Sequence, residues 1–396
     1  MNIMIQGVKS IGRVHTYICP LAVSLTLYNK RGFLLEGSSS VISICMCNIP
    51  FLRCQPRRRL DNLLQCQQSG RSTTSTMPEK EKNEAKTEFP MCQEEAHLAL
   101  SLLDPAVLAL RLIWDFTESN FATFVIPNTS FGILGALASP VLTDGPHLSA
   151  AGILRRTPLV VLFNWYNVLN FDLANQRSPE SLLEDELNKP WRPIVAGKIT
   201  AEQARRLMLV TIPSALLLNY ALGVWRQGVF ILIITWLYND IRGGDELVRD
   251  PLISIAYGLF NSASLETATG QKNHINSTGI AWIAMISGVI LTTMQIQDLK
   301  DQAGDRTRGR KTVALVLGDV ASRASIVVFV CLWSFICPFF WGVGPLGYVI
   351  SGTPGAIVAL SMIIKRNPQD DARSWKWWCF WTITLYIQPA VHVAGL

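Results

Sequence analysis

The stretch Gln297-Asp298-Leu299-Lys300-Asp301-Gln302-Ala303-Gly304-Asp305-Arg306-Thr307-Arg308-Gly309-Arg310-Lys311-Thr312 directly follows an apolar run at residues 279–296. Continued as a helix at about 100° per residue, it places Asp298, Asp301 and Asp305 within about 60° of one another. Three carboxylates on one face repel each other, and binding of a hard cation such as Mg²⁺ explains why they are grouped at the end of an apolar helix. The alternative is a solvated loop of mixed charge.

Cations follow these carboxylates. Arg310 and Lys311 come directly after Gly309, and their charges suit the oxygens of a diphosphate. Their presence favours a binding site over a solvated loop.

A second polar group follows the apolar run at residues 157–171. Asp172 and Asn175 are three residues apart, so on a helix their side chains face one direction as metal or phosphate ligands. Further along, Lys189 and Arg192 alternate with Pro190 and Pro193, which exclude a helix and predict a stiff loop. On that loop the two cations can close over a diphosphate. The acidic run of residues 184–186 lies between the two parts.

Outside these groups the chain is dominated by apolar stretches. It has 396 residues, of which 49% are hydrophobic and 16% charged, and its mean hydropathy is +0.27, which is typical of a membrane protein. Nine stretches are long enough to cross or nearly cross a bilayer if tilt is allowed. They are residues 122–142, 157–171, 207–224, 228–238, 251–268, 279–296, 324–340, 346–364 and 377–393. We therefore predict an all-α integral membrane protein with nine transmembrane helices.

Charge supports this count. With a cytosolic amino terminus, the loops after even-numbered stretches contain far more Lys and Arg than the opposite loops, as the positive-inside rule requires. Both polar groups then lie on the same side of the membrane. The net charge of +6 is concentrated before residue 77, so the body offers no basic face and the chain is not expected to bind nucleic acid.

The chain divides into three parts. Residues 1–76 are basic and poor in acids, and we interpret them either as an organellar targeting extension or as dispensable translated sequence, disordered in both cases. Residues 77–121 are interpreted as a cytosolic amino terminus followed by a helix at the membrane interface, at residues 97–116. Residues 122–396 form the predicted transmembrane catalytic domain.

The two polar groups resemble known signature motifs. Residues 188–197, Asn-Lys-Pro-Trp-Arg-Pro-Ile-Val-Ala-Gly, and residues 298–312 resemble the two signature regions of UbiA-type prenyltransferases. The resemblance implies nine helices around a central cavity and two Mg²⁺ ions that bridge the motifs and a prenyl diphosphate. It implies metal-ligand and catalytic roles for four residues: Asp172, Asn175, Asp298 and Asp301. Asp305 would be an outer metal ligand, and the implied diphosphate-binding residues are Lys189, Arg192, Arg310 and Lys311.

The first motif departs from the common pattern. Phe171 stands where an Asn is usual, and Asn175 stands where an Asp is usual. Such forms, together with Tyr238-Asn239-Asp240-Ile241-Arg242-Gly243-Gly244-Asp245-Glu246, resemble a fungal branch of the superfamily that includes the membrane-bound terpene cyclase of the fumagillin pathway. Asn239, Asp240 and Asp245 are interpreted either as a lid over the site or as a plain turn.

Two enzymatic functions remain open, both with a prenyl diphosphate as substrate and the bilayer as surroundings. One is a sesquiterpene cyclase acting on farnesyl diphosphate, and the other is transfer of the prenyl group to an aromatic or other small acceptor. A transporter is disfavoured because its acids would be expected at mid-helix rather than at helix ends. Five aromatic residues are candidates for stabilising a carbocation, although packing is the alternative for each: Trp165, Tyr166, Tyr257, Phe260 and Trp282. The expected location is the endoplasmic reticulum or another organelle membrane.

Overall fold

The computed structural model describes residues 15–19, 22–26 and 105–396, except residues 146–147, 271–272 and 365. The chain separates into two compact units, one made of Met1–Arg53 with Glu88–Ala109, the other of Cys54–Thr87 with Leu110–Leu396. In the first unit, β1 (His15–Cys19) pairs antiparallel with β2 (Ala22–Thr26). This hairpin lies within residues 1–76, for which disorder stays a prediction, and Tyr17, Ile18 and Val23 are residue types that favour a strand. The rest of that segment lies outside the described residues.

In the described part of the second unit, the regular structure is helical apart from one isolated bridge between Thr143 and Ile275. The chain passes from α1 (Pro105–Asn120) through a π-helical turn (Phe121–Val125) into α2. The following helices are α2 (Ile126–Leu137), α3 (Ser139–Leu142), α4 (Ala150–Gln176), α5 (Pro179–Asn188), α6 (Ala201–Ala221), α7 (Trp225–Asn239), α8 (Arg249–Thr269), α9 (Ser277–Thr293), α10 (Gln302–Arg308), α11 (Val313–Val316), α12 (Asp319–Trp341), α13 (Pro345–Ile364), α14 (Pro368–Tyr386) and α15 (Gln388–Val393). Two 3₁₀ turns, Gly243–Asp245 and Met294–Asp298, precede α8 and follow α9.

Each of the nine apolar stretches predicted from the sequence coincides with helical residues. Three helical segments in the described part are long and apolar enough to cross a membrane: Ser277–Asp298, Asp319–Trp341 and Pro345–Ile364. Membrane crossing by the other six stays a prediction. The helix expected at residues 97–116 is observed from Pro105, and its earlier residues lie outside the described part of the chain.

Local sequence explains where several helices begin. Thr200 accepts a hydrogen bond from the Gln203 backbone, and the Gln203 side chain accepts one from Thr200, which forms a capping box at α6. Asn276 caps α9 in the same way by accepting from Gly279. The packed interior contains large aromatic side chains from the later helices, including Trp282, Trp378 and Trp381. Trp378 donates a hydrogen bond to Thr293 and Trp381 donates one to Ser334, each at 2.9 Å, so α14 is joined to α9 and to α12.

One close contact joins the two motif-bearing segments, α5 and α10. Asn188 donates a hydrogen bond to the Asp301 carbonyl at 3.0 Å and accepts one from the Gly304 backbone at 3.3 Å. A Cβ atom at Gly304 would lie 2.3 Å from the Asn188 amide nitrogen, so only glycine allows this approach. Asn188, which opens the signature region at residues 188–197, is thereby fixed against the second motif.

Candidate active site

A cavity opens between the two motifs. Its polar end contains residues from both motifs, and its other walls are apolar and aromatic. The polar lining residues used below are Asn175, Glu184, Lys189, Arg192, Tyr238, Arg249, Gln297, Lys300, Asp301 and Arg310. Phe124, Ile231, Tyr257 and Phe260 are among the other lining residues. The cavity is therefore suited to a ligand that has a charged head group and an apolar chain.

The first motif lies at the carboxyl end of α4. Asp172 is fully buried, and its Oδ1 accepts a hydrogen bond from the Asn120 amide at 2.6 Å. Its Oδ2 has no hydrogen-bond partner among the described residues. Asn175 donates to Asn239 Oδ1 at 3.0 Å, and its own oxygen lies 3.5 Å from Arg192 Nη1.

The loop after α5 brings its two cations to the cavity, as predicted. Arg192 Nη1 lies 2.9 Å from each carboxylate oxygen of Asp185, and both side chains are buried. Burial raises the pKa of Asp185, although Arg192 opposes the shift. Burial and the neighbouring Arg192 lower the pKa of Lys189 to about 8. Because burial disfavours the charged form of Lys189, an anion bound beside it would stabilise the ammonium.

The second motif is not one continuous helix. A 3₁₀ turn ends at Asp298, and α10 begins only at Gln302, with Asp301 as its N-cap residue. The prediction that three aspartates share a helix face is therefore wrong in its geometry. The physical reason is that each carboxylate turns toward a different cation: Asp298 pairs with Arg249, Asp301 with Lys300 and Asp305 with Arg310.

The pairing of Asp298 is bidentate. Arg249 donates from Nη1 to Oδ2 at 2.8 Å and from Nη2 to Oδ1 at 2.7 Å. Asp298 is 2% exposed, so the carboxylate is buried rather than at a solvated helix end. Asp301 lines the cavity itself; burial alone would raise its pKa, but Lys189 and Lys300 bring the pKa below its usual value.

A buried network of ion pairs connects α5, α10 and the turn before α8. Arg308 donates to Asp245 at 2.6 Å and to Glu184 at 3.0 Å, and Arg310 donates to Glu184 at 3.0 Å and to Asp305 at 3.2 Å. Burial raises the pKa of Asp305, while Arg310 opposes the shift. Sequence reasoning missed Arg249 and Arg308. The signal available for Arg249 was that it and Asp250 directly precede the apolar stretch at residues 251–268.

Lys311 differs from its predicted role. Its backbone N–H bonds to the Asp245 carbonyl at 2.8 Å, which turns the side chain outward. The Lys311 ammonium pairs with Glu246 at 2.7 Å, and both side chains are more than half exposed. Lys311 is therefore not placed at the cavity, whereas Lys189, Arg192 and Arg310 are.

The three residues suggested as a lid have separate surroundings. Asn239 holds Asn175, Asp245 is buried in the Arg308 network, and Asp240 pairs with Arg177 at the surface. Arg242, which precedes Gly243, has a φ of 62°, so the chain turns sharply here. This geometry matches a structured turn, and two of its members support the cavity wall.

The donor chemistry of the site fits a hard cation. The oxygens of Asn175, Gln297 and Asp301 line one cavity, and the unpartnered Oδ2 of Asp172 needs a donor or a cation. Asp298 can bind a cation together with these residues only if its ion pair with Arg249 breaks. In keeping with those pairings, the described residues contain no group of three or more His, Cys, Asp or Glu side chains already placed to hold a metal.

Two of the five candidate aromatic residues line the cavity. Phe124 contacts Tyr257 and Phe260, with ring centroids 4.6 Å and 4.8 Å away and interplanar angles of 61° and 84°. Trp282 instead packs against Trp341 in the core. For Trp165 and Tyr166 the packing interpretation holds too, because neither lines the cavity as described here.

Comparison with known proteins identifies the class. A model of the UbiA prenyltransferase family matches residues 158–384. Fumagillin beta-trans-bergamotene synthase af520 of Aspergillus fumigatus is 25% identical over 314 residues, which cover 73% of this chain and 95% of that protein. Polyprenyl transferase eriF of Hericium erinaceus is 24% identical over 279 residues, covering 68% and 91%.

A solved structure of a digeranylgeranylglyceryl phosphate synthase matches with a TM-score of 0.50 and 16% identity, over 72% of this chain and 99% of that one, which shows a common fold. The chain belongs to the UbiA prenyltransferase family. It is an integral membrane enzyme that acts on a prenyl diphosphate, as its motifs predict.

Proposed function

We propose that this protein is a terpene cyclase that ionises farnesyl diphosphate with Mg²⁺ and closes the prenyl chain into a sesquiterpene, within a bundle of nine transmembrane helices in the endoplasmic reticulum. The observation that carries the proposal is the lining of the cavity, which combines charged side chains from both motifs with aromatic and aliphatic side chains. The similarity of this chain to fumagillin beta-trans-bergamotene synthase, which extends over 95% of that protein, supports the same activity.

At the charged end, the proposed metal ligands are Asp172, Asn175, Asp298 and Asp301, with Asp305 in an outer position. Bound Mg²⁺ would neutralise charge that develops on the departing diphosphate. Lys189, Arg192 and Arg310 lie at the same end of the cavity and can donate hydrogen bonds to the diphosphate oxygens. Arg192 is buried, and Lys189 and Arg310 are partly buried, which strengthens these contacts relative to fully exposed cations.

Departure of diphosphate leaves an allylic cation in the apolar part of the cavity. The faces and edges of Phe124, Tyr257 and Phe260 lie there, and an aromatic ring face stabilises a desolvated cation by about 2 kcal/mol. The apolar walls exclude water, which would otherwise capture the cation. Both conditions favour a reaction of the chain with itself.

The second candidate is a prenyltransferase that moves the same cation to an aromatic or other small acceptor. It shares the ionisation step, and the 24% identity with a polyprenyl transferase favours it. The two candidates differ in what must be present besides Mg²⁺ and the diphosphate.

The discriminating experiment uses purified full-length protein in detergent with Mg²⁺ and farnesyl diphosphate alone, followed by analysis of volatile products and released diphosphate. We expect a cyclic sesquiterpene hydrocarbon. Hydrolysis only, or no reaction until an aromatic acceptor is added, would overturn the cyclase in favour of the transferase. Geranyl and geranylgeranyl diphosphate in parallel test the assigned chain length.

A further inference from the structure

Two of the three carboxylates of the second motif, Asp298 and Asp301, are already paired with cations of the same chain. Arg249 holds Asp298 with two hydrogen bonds at 2.8 Å and 2.7 Å, and Lys300 pairs with Asp301. Both cations line the cavity, and the Lys300 ammonium also lies 4.7 Å from the centre of the Trp375 ring. Arg249 and Lys300 therefore line the cavity and, at the same time, pair with predicted metal ligands.

The pair of Arg249 and Asp298 is deeply buried. Arg249 is 6% exposed and Asp298 2% exposed. Arg249 Nη1 also donates to Asp250 at 2.9 Å, but its Nε has no partner in the described part of the chain. Removing one member of a buried ion pair leaves an uncompensated charge in a low-dielectric surrounding, which is strongly unfavourable.

Because the ion pair is buried, neither the divalent cation nor the diphosphate alone competes well for its partner in that pair. A divalent cation that takes Asp298 leaves Arg249 buried without its main partner. A diphosphate that takes Arg249 leaves Asp298 in the same position. When the two arrive together, Asp298 exchanges Arg249 for the cation, Arg249 exchanges Asp298 for a phosphate oxygen, and every charge keeps a partner.

We propose that Arg249 is a positioning residue that couples the two ligands. It holds Asp298 in the empty site and moves to the diphosphate when the divalent cation takes Asp298. Lys300 performs the same exchange at Asp301. This inference rests on the proposed function, because it concerns the same site, and it adds that metal and diphosphate bind cooperatively through a defined ion pair.

The test measures metal binding without turnover. Mn²⁺, a paramagnetic substitute for Mg²⁺, is titrated into full-length protein in lipid nanodiscs, and free Mn²⁺ is followed by electron paramagnetic resonance, with and without inorganic pyrophosphate. In the unmodified protein, pyrophosphate is expected to raise Mn²⁺ affinity about tenfold, as in ordinary coupling between sites. In Arg249→Gln, Asp298 is free, so Mn²⁺ alone is expected to bind about tenfold tighter and the effect of pyrophosphate to shrink.

Two further variants separate this mechanism from general loosening of the protein. Arg249→Gln combined with Asp298→Asn should lose the gain in Mn²⁺ affinity. Arg323→Gln breaks an equivalent buried bidentate pair with Asp371, at 2.7 Å and 2.8 Å, whose residues do not line the described cavity. It should leave Mn²⁺ affinity unchanged. If Arg249→Gln does not fold, Arg249→Lys, which keeps the charge but not the bidentate contact, should show a smaller gain in the same direction.

Unchanged Mn²⁺ affinity in folded Arg249→Gln or Arg249→Lys would overturn the proposal, and so would an equal gain in Arg323→Gln. Formation of cyclic product from farnesyl diphosphate is measured on the same samples. If cyclic product forms while Arg249 has no effect on Mn²⁺, this inference fails and the proposed function stands. If Arg249 couples the ligands while no prenyl diphosphate is consumed, the proposed function fails instead.

Discussion

The Asn175 side chain donates a hydrogen bond to Asn239 Oδ1 at 3.0 Å, and both residues are buried at the charged end of the cavity. Asn239 in turn donates to the Thr235 carbonyl at 2.9 Å, so its oxygen is fixed toward Asn175. This leaves the oxygen of Asn175 facing Arg192. A carboxamide at this position is thus matched by its neighbour, since a carboxylate would face the oxygen of Asn239.

Asn239→Ala is therefore expected to lower kcat/KM for the prenyl diphosphate about tenfold, because Asn175 loses the group that orients it. Steady-state kinetics with purified protein measure the effect. Asn219→Ala is the matched control, since Asn219 forms an equivalent buried pair with Asn167 at 3.0 Å, and neither residue lines the described cavity. The control should lose thermal stability but keep kcat/KM. Equal losses of kcat/KM in both variants would contradict an orienting role.

Asp298→Asn and Asp301→Asn are expected to abolish nearly all turnover, because each removes a charged ligand for a divalent cation. Asparagine is preferable to alanine, since it still offers Arg249 an acceptor at the buried position 298. Activity should also be lost in excess EDTA and restored by Mg²⁺. Asp115→Asn, which breaks a pair with Lys198 away from the lining of the cavity, is the control. Full turnover in EDTA would exclude the metal site.

Arg308→Ala is expected to destabilise the protein by about 3 kcal/mol or more, because Glu184 and Asp245 would be left as buried charges with fewer partners. Lys311→Ala is the control from the same segment. Its ion pair with Glu246 is exposed, and such pairs contribute about 1 kcal/mol or less. Thermal unfolding in detergent compares the two. Lys311→Ala should also keep its affinity for pyrophosphate; a large loss of that affinity would restore the role predicted for Lys311 from the sequence.

Much of this site was predictable because the residue types alone indicate which chemistry they can perform. Charged residues beside apolar runs located both motifs, and Pro190 and Pro193 correctly indicated that Lys189 and Arg192 are held on a loop. Apolar length located every major helix. These features depend on local sequence, so one sequence is enough to find them.

The partners of the charged groups were not predictable. Arg249 and Asp298 are 49 residues apart, and Arg308 and Glu184 are 124 residues apart. Sequence spacing gives no register across such distances, so the carboxylates were assigned to one helix face. The helical turn instead ends at Asp298, and each aspartate pairs with a different cation.

A chain that starts at Met77 is expected to insert into the membrane and to turn over substrate normally. The residues that line the cavity all lie from Asn120 onward, and the described contacts that fix them come from the same part of the chain. The measurement compares specific activity in membranes at equal protein amounts. A loss of activity at unchanged expression would give residues 1–76 a role in the enzyme.

Phe260 belongs to the aromatic part of the cavity lining. Phe260 contacts Phe124 at a centroid distance of 4.8 Å and Phe163 at 5.8 Å, so its ring is held rigidly at the apolar side of the cavity. Replacing it with leucine removes the ring face but keeps an apolar side chain. The proposed ionisation takes place among the charged lining residues, which this change leaves in place, so it should proceed.

We therefore expect Phe260→Leu to release diphosphate at a rate within about threefold of the unmodified protein, since the contacts to the leaving group are unchanged. The cation, however, loses a stabilising ring worth about 1 to 2 kcal/mol, so a larger share should end as acyclic products or alcohols. Product analysis alongside diphosphate release separates the two effects. Trp282→Phe, a change in the packed core, should alter neither. An unchanged product mixture from Phe260→Leu would show that this ring only packs, and a parallel fall in diphosphate release would show that it acts before the cation forms.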